Sequence, residues 1–288
     1  MTILAANSVD SWGINFKDSV RVPKVAKLSD CADYAIILDD LNQVQTLRLS
    51  TGECWRVPVR GGAMCIAISA QGEFAVASTD GTIQRFDLSL PTICIGKIAL
   101  SAVTSLSYDR TGTMLVAAQN SGQVLMFDLE IRPLPLVIGK FRVSDGMIPA
   151  LGTRGDSIFG VDRRGRMFCL RNPLSEPQIL WNGAAHFDLD CYTMAVHPYL
   201  TRLALGGSGR YVRWYSADNV APTILATAFS YVRDLVFLPV LNLLAVVGTN
   251  GLEVWNLDTN SLVLNWKSSK GRIIGVCEFE NRLRVLYG

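Results

Sequence analysis

Histidine is almost missing from this chain, with two residues, His186 and His197, in 288. That scarcity removes the usual routes to hydrolytic and metal chemistry, because a Ser-His-Asp arrangement and most catalytic zinc centres need imidazole. Neither histidine accompanies a nucleophile elbow or a His/Cys/carboxylate cluster at ligand spacing. A P-loop and a Gly-x-Gly-x-x-Gly fingerprint are also missing, so no cofactor and no metal is expected and the chain reads as not an enzyme. Lysine is scarce too, at 7 residues against 20 arginines, and the net charge is only +2. Overall charge therefore gives no reason to expect nucleic acid or an anionic lipid surface as the main partner. The longest apolar run, Leu235–Val247, spans 13 residues and is broken by Pro239 and Asn242, so no membrane span is expected. Met1–Asp10 has neither the basic start nor the apolar core of a secretory signal. The seven cysteines are odd in number and never at Cys-x-x-Cys spacing, which suits reduced thiols packed as small apolar groups in a cytoplasmic protein.

What the chain does have is repetition. Hydrophobic residues make up 49% of it and mean hydropathy is +0.26, high for a chain without a membrane segment. Strands buried on both faces account for that. A unit of about 41 residues recurs: apolar strand, turn, apolar strand, tight Gly/Asn/Asp turn, then a strand ending on a bulky residue. Cys65–Leu90, Val103–Ile131 and Val232–Asn260 are the clearest copies. The tight-turn residues form a ruler, Asn42, Gly81, Gly122, Gly165, Gly209 and Gly251, spaced by 39, 41, 43, 44 and 42. Asn and Gly suit a turn that requires positive φ. The third strand of each unit delivers Leu47, Phe86, Phe127, Leu170, Trp214 or Trp255.

After six such units, Ile273–Phe279 and Arg282–Tyr287 read as a first and second strand. Thr2–Ala6 and Trp12–Lys17 read as a third and fourth strand without their first two. Both termini are therefore expected to share one blade, two strands each, from about 1–19 and 271–288. The expected fold is all-β, a seven-bladed β-propeller forming a single domain over 1–288 with no appended domain.

These units resemble WD40 repeats in a degenerate form. Phe86-Asp87 and Phe127-Asp128 stand where that family has Trp-Asp, with Trp255-Asn256 and Trp214-Tyr215 as looser versions. The family's Gly-His dipeptide is missing from every unit, and His186 is the nearest approach to it. The resemblance implies a rigid scaffold for protein–protein interaction, a subunit of a larger complex that binds on the upper face of the ring. By register, Lys24, Met64, Met147, Tyr192, Tyr231, Arg233 and Arg272 begin first strands on that face. Arg163 and Arg164, with Asp40, Asp80, Asn120, Ser208 and Asn250, occupy its hairpin turns. Tyr, Met and Arg are the residue types that anchor interfaces. The partner-binding set is therefore Met64, Met147, Arg163, Arg164, Tyr192, Tyr231, Arg233 and Arg272, facing one or more proteins with acidic segments.

The densest run of positive charge is Asp162–Arg171 (DRRGRMFCLR). Its Arg-Arg-Gly core resembles the Phe-Arg-Arg-Gly motif of phosphoinositide-binding propellers, with Asp162 in place of the Phe. Recognition of a phosphoinositide, another phosphate or nucleic acid through Arg163 and Arg164 is the alternative function. A further rival, an enzyme site in the central channel, requires an acid–base group there whose pKa is displaced. Asp39-Asp40 and Asp188 with Asp190 read as solvated turn acids, His197 as a turn residue, and Trp55, Trp181 and Trp266 as candidates for an outer docking belt.

Overall fold

The computed structural model describes residues 9–13, 23–29, 33–130, 135–171, 178–184, 190–216, 222–249, 251–267, 272–280 and 282–287. Six sheets each hold four antiparallel strands in chain order. Blade 1 comprises Pro23–Leu28, Tyr34–Asp39, Val44–Arg48 and Cys54–Val57, and blade 2 Ala63–Ile68, Glu73–Ser78, Thr82–Asp87 and Leu90–Ala99. Blade 3 comprises Val103–Tyr108, Met114–Gln119, Gln123–Asp128 and Leu136–Arg142, and blade 4 Ala150–Arg154, Ser157–Val161, Arg166–Arg171 and Gln178–Ala184. Blade 5 is Cys191–Val196, Arg202–Gly207, Tyr211–Ser216 and Thr223–Ala226; blade 6 is Val232–Leu238, Leu243–Gly248, Gly251–Asn256 and Ser261–Lys267. A closing sheet pairs Ile273–Phe279 with Arg282–Tyr287 and adds Val9–Gly13. First strands of successive sheets are neighbours all the way round, and the closing sheet's first strand lies beside that of blade 1. The molecule is an all-β propeller.

Of the expected last blade, with two strands from each terminus, the described residues show both C-terminal strands and one N-terminal strand. Six blades are four-stranded, and the closing sheet has three strands among the described residues. Among the described residues the N-terminal segment adds the strand Val9–Gly13, which runs parallel to Arg282–Tyr287 and pairs Val9 with Leu283 through Gly13 with Tyr287. No tight turn joins these two segments, so nothing local imposes the antiparallel pairing that hairpins impose within the blades. Thr2–Ala6 and most of Trp12–Lys17 lie outside the described residues.

The core lies between sheets. Each of the seven joints around the ring encloses its own apolar cluster, such as Phe74, Phe86, Ile36 and Ile66 between blades 1 and 2. Second strands are covered on both faces, and Leu243–Gly248 is buried throughout. Fourth strands mix exposed and half-buried positions, as in Ser261–Lys267. This layering explains the high apolar content without a bilayer, and among the described residues no helix is long and apolar enough to cross a membrane. A fully buried Phe contributes about 2–3 kcal/mol, and Phe74 stacks on Phe86 with ring centroids 5.2 Å apart. Cys169 and Cys191 are buried, and burial pushes the thiols of Cys65 and Cys191 up to about 12.

The turns between first and second strands share a device: a side-chain acceptor at the end of the first strand takes backbone N–H groups. Ser69 Oγ accepts from Glu73 (3.1 Å) and Asp109 Oδ1 from Met114 (2.7 Å). In blade 5 the acceptor is His197, whose Nδ1 takes the amides of Tyr199 (3.1 Å) and Leu200 (2.9 Å). Only the neutral ring has that lone pair. Burial, then the charges of Arg202 and Arg154, hold its pKa below the usual 6.5. The unfolded chain therefore binds the proton first. Stability is complete above pH 6.5 and falls as pH drops below it, by at most about 1.4 kcal/mol per pH unit, until the folded pKa is passed. Urea midpoints at pH 7.5 and 5.0 should show this loss, and His197→Asn, which keeps an acceptor that does not titrate, should lose less. Equal losses would refute the assignment.

Candidate functional site

One local irregularity builds the upper rim. In every sheet except blade 4, the pairing of first and second strands skips the second residue of the first strand. The residues skipped are Lys24, Met64, Thr104, Tyr192, Arg233 and Ile274. A bulge of this kind re-aims a side chain away from the ladder. Four of the residues that register alone assigns to the upper face are thus bulge residues at the mouth of the channel. Blade 4 has no bulge at that place; there Met147, just ahead of the strand, accepts the backbone N–H of Arg163 through its carbonyl (3.1 Å).

Blades 4, 5 and 6 carry a continuous strip. Arg163 pairs with Asp190 (Nη2–Oδ2, 3.5 Å), and the neighbouring Tyr192 hydroxyl, then the Asp190 charge, hold its guanidinium above the usual arginine range. Tyr192 in turn donates to Asp190 Oδ2 (2.6 Å). The Tyr192 and Tyr231 rings lie 5.5 Å apart at 44°, across the joint between blades 5 and 6. Tyr231 remains 36% exposed, and burial is the main cause raising its phenol pKa. The two rings therefore cover the joint and also present an aromatic surface. Beyond Tyr231, Arg233 donates to the carbonyls of Ile273 (3.2 Å) and Lys24, reaching over the closing sheet to blade 1. Arg272 follows at the start of the closing sheet. Met64 stands apart on blade 2 at 52% exposure.

The arginine-rich turn is organised by Asp162, which is 2% exposed. Its Oδ1 accepts the backbone N–H of Arg164 and of Arg166, both at 2.9 Å. Its Oδ2 takes Arg166 Nε (2.6 Å) and the Ser144 hydroxyl (2.9 Å). Arg163 and Arg164 project from this turn over a cavity of about 440 Å³ lined by Met147 and three arginines, with three aspartates, Asp145, Asp162 and Asp190, beside them. Asp190 is the residue that sequence reasoning undervalued: it is the acceptor joining blade 4 to blade 5. Its position two residues before Tyr192 was the available signal. His186, Asp188 and Asn250 lie outside the described residues.

A larger cavity of about 690 Å³ opens at the other end of the channel, among the turns that leave the first strands. It does contain a displaced carboxylate, since burial raises the pKa of Glu278. That carboxylate accepts the amides of Val240 (3.1 Å) and Leu241 (3.0 Å), which commits it to holding a turn. Lys27 and Asp234 pair in the same cavity (3.3 Å). Among the described residues no group of three or more His, Cys, Asp or Glu could hold a metal ion. On the outer belt, Trp55 and Trp266 are half-buried, and the exposed apolar residues among those described are instead Leu90, Ile93, Ile95, Leu136, Val137, Ile224 and Leu262; the Trp181 side chain lies outside the described residues.

No family model and no curated protein matches the chain. Among solved structures, 1778 chains match it. One, from the "Crystal Structure of Mitotic Checkpoint Complex", aligns with a TM-score of 0.76 at 14% identity, covering 91% of this chain and 83% of that one. The likeness is one of fold, that of a β-propeller. In this ring the Asp of each Phe-Asp pair has a visible task. Asp87 Oδ1 accepts the backbone N–H (2.7 Å) and the hydroxyl of Ser89, and Asp128 Oδ1 accepts the N–H of Glu130 (2.8 Å). Asn256 does the same for Asp258 (2.9 Å) and Thr259 (3.1 Å), which explains why Asn can stand in for Asp there. A fold matched so widely is a platform, so the site has to carry the functional argument.

Proposed function

We propose that this chain is a non-catalytic recognition subunit, cytoplasmic, that binds a protein partner on its upper face. The closing sheet is read as a seventh blade that completes the ring and holds the loops rigid, so that binding costs little ordering entropy. The observation that carries the proposal is the continuous Arg163–Asp190–Tyr192–Tyr231–Arg233 strip across three sheets. A half-exposed aromatic pair flanked by arginines has the make-up of an interface core. That a chain of similar fold belongs to a mitotic checkpoint complex supports a protein partner over a small molecule. Glu278, the displaced carboxylate of the channel, is occupied by two backbone amides, which supports a non-catalytic reading.

The test is capture of partners by the tagged chain from its native cell, at low salt and at about 0.5 M, where charges separated by more than a few ångström are screened. A stoichiometric protein should survive high salt, and Tyr231→Ala should weaken it about thirtyfold, about 2 kcal/mol for loss of an aromatic anchor. Tyr231→Phe should retain most of the affinity. Capture of phosphoinositide or nucleic acid at low salt only, lost in the double variant Arg163→Glu with Arg164→Glu, would favour the phosphate reading instead. The equal numbers of arginines and aspartates around that turn's cavity speak for the protein partner.

A further inference from the structure

Two cations of the arginine-rich turn, Arg163 and Arg166, already have carboxylate partners within the fold. A different pair at the channel mouth has none among the described residues. Arg233 donates Nη1 to the carbonyl of Ile273 (3.2 Å) and Nη2 to that of Lys24. Carbonyls position a guanidinium without neutralising it, and three of its five N–H groups remain. Arg272 is the residue before Ile273, so the two side chains share this corner of the rim. Arg272 Nε is buried and has no acceptor among the described residues. A buried donor left unmade costs stability, so the fold keeps it at a cost. The nearest acid in sequence, Asp234, is already engaged by Lys27 (3.3 Å). Lys24 adds a further cation, whose Nζ donates to the neutral Asn42 Oδ1 (2.7 Å).

We propose that Arg233 and Arg272 form a socket for a carboxylate supplied by an acidic side chain of the partner protein. Two adjacent guanidiniums present the planar forks that a carboxylate accepts in pairs. One such ligand, accepting from the terminal Nη groups, would offset a like-charge contact. That contact is visible in the Arg233 pKa, brought down to about 10 by burial and then by the Arg272 charge; burial also lowers Arg272. Both stay charged at neutral pH. The socket adjoins Tyr231, the half-exposed end of the aromatic pair, so its ligand has an apolar body next to its anion, as an acidic peptide segment does. This inference rests on the protein-partner reading above.

The probe is a fluorescein-labelled Gly-Glu-Leu-Glu-Leu-Gly peptide, titrated with the full chain by fluorescence polarisation. Arg272→Gln should weaken binding about tenfold, one charge-assisted contact, with partial rescue by Arg272→Lys. Arg56→Gln, which removes an exposed charge from the outer strand of blade 1, should change it less than about twofold. Arg233→Gln should also lower the melting temperature, because that side chain ties three sheets together, so Arg272 carries the test. Equal effects of Arg272→Gln and Arg56→Gln would overturn the socket. So would equal binding of the Gly-Gln-Leu-Gln-Leu-Gly peptide. Displacement of the probe by inorganic phosphate at lower concentration than by acetate would overturn the carboxylate assignment in favour of phosphate. Arg272-dependent probe binding with no captured protein would leave the socket standing and remove the protein-partner reading. A partner held through Tyr231, with partner and probe both indifferent to Arg272→Gln, would do the reverse.

Discussion

Replacing Gly122 by Ala is expected to destabilise the protein by about 4 kcal/mol, a fall of roughly 10 °C in melting temperature. Two costs combine. Gly122 has φ +80°, where an L-residue loses about 1–2 kcal/mol. A Cβ there would also lie 1.9 Å from the carbonyl oxygen of Ser144, so backbone has to retreat. It cannot retreat freely, because Val143 donates its N–H to the Gly122 carbonyl (3.0 Å) and the Ser144 hydroxyl donates to Asp162 (2.9 Å). The strain therefore passes from the turn of blade 3 into the arginine-rich turn of blade 4. Gly155→Ala is the matched control: its φ is +50° but nothing lies within 4 Å of the added Cβ, and the expected loss is about 1 kcal/mol. Thermal denaturation of the two variants separates the backbone cost from the clash, and equal losses would show that Ser144 yields.

The same glycines show what a single sequence can and cannot disclose. Positive φ is a local demand, and Asn42, Gly81, Gly122, Gly165 and Gly209 meet it at the expected spacing. Gly251 keeps the spacing for another reason: its Cβ would press on the Trp266 carbonyl at 2.9 Å and on the Phe229 ring at 3.0 Å. That is a requirement of packing, which periodicity imitates without explaining. The strands Ile273–Phe279 and Arg282–Tyr287 were readable because alternation is local. The parallel direction of Val9–Gly13 was not, because it follows from the path of the chain between distant segments. At the rim, register could assign Lys24, Met64, Tyr192 and Arg233 to one face. It could not show that they are bulge residues, since a bulge exists only in the count across two paired strands. Asp190 looked like an ordinary turn acid because Arg163, its partner, comes from the neighbouring blade.

Removing the Asp162 carboxylate should have the second-largest effect and should act on stability and recognition together. Asp162→Ala strands two backbone amides, the Ser144 hydroxyl and the Arg166 guanidinium, all of which now share one buried carboxylate. Breaking a fully buried pair costs about 3–5 kcal/mol, and because Arg166 can still reach water the lower figure, about 3 kcal/mol, is expected. Asp162→Asn, which can keep an oxygen facing the two amides but surrenders the charge, should lose about half of that. The turn it releases is the one that aims Arg163 at Asp190 and seats it beside Met147. Partner affinity should therefore fall further in Asp162→Ala than in Arg163→Ala, because the first variant displaces the whole turn and the second removes one side chain from a fixed frame. Calorimetric titration of both variants against the captured partner, below their melting temperatures, checks the order. If Asp162→Ala lost stability and kept full affinity, the arginine-rich turn would lie outside the recognition surface. Binding would then rest on Tyr231 and the Arg233–Arg272 corner alone.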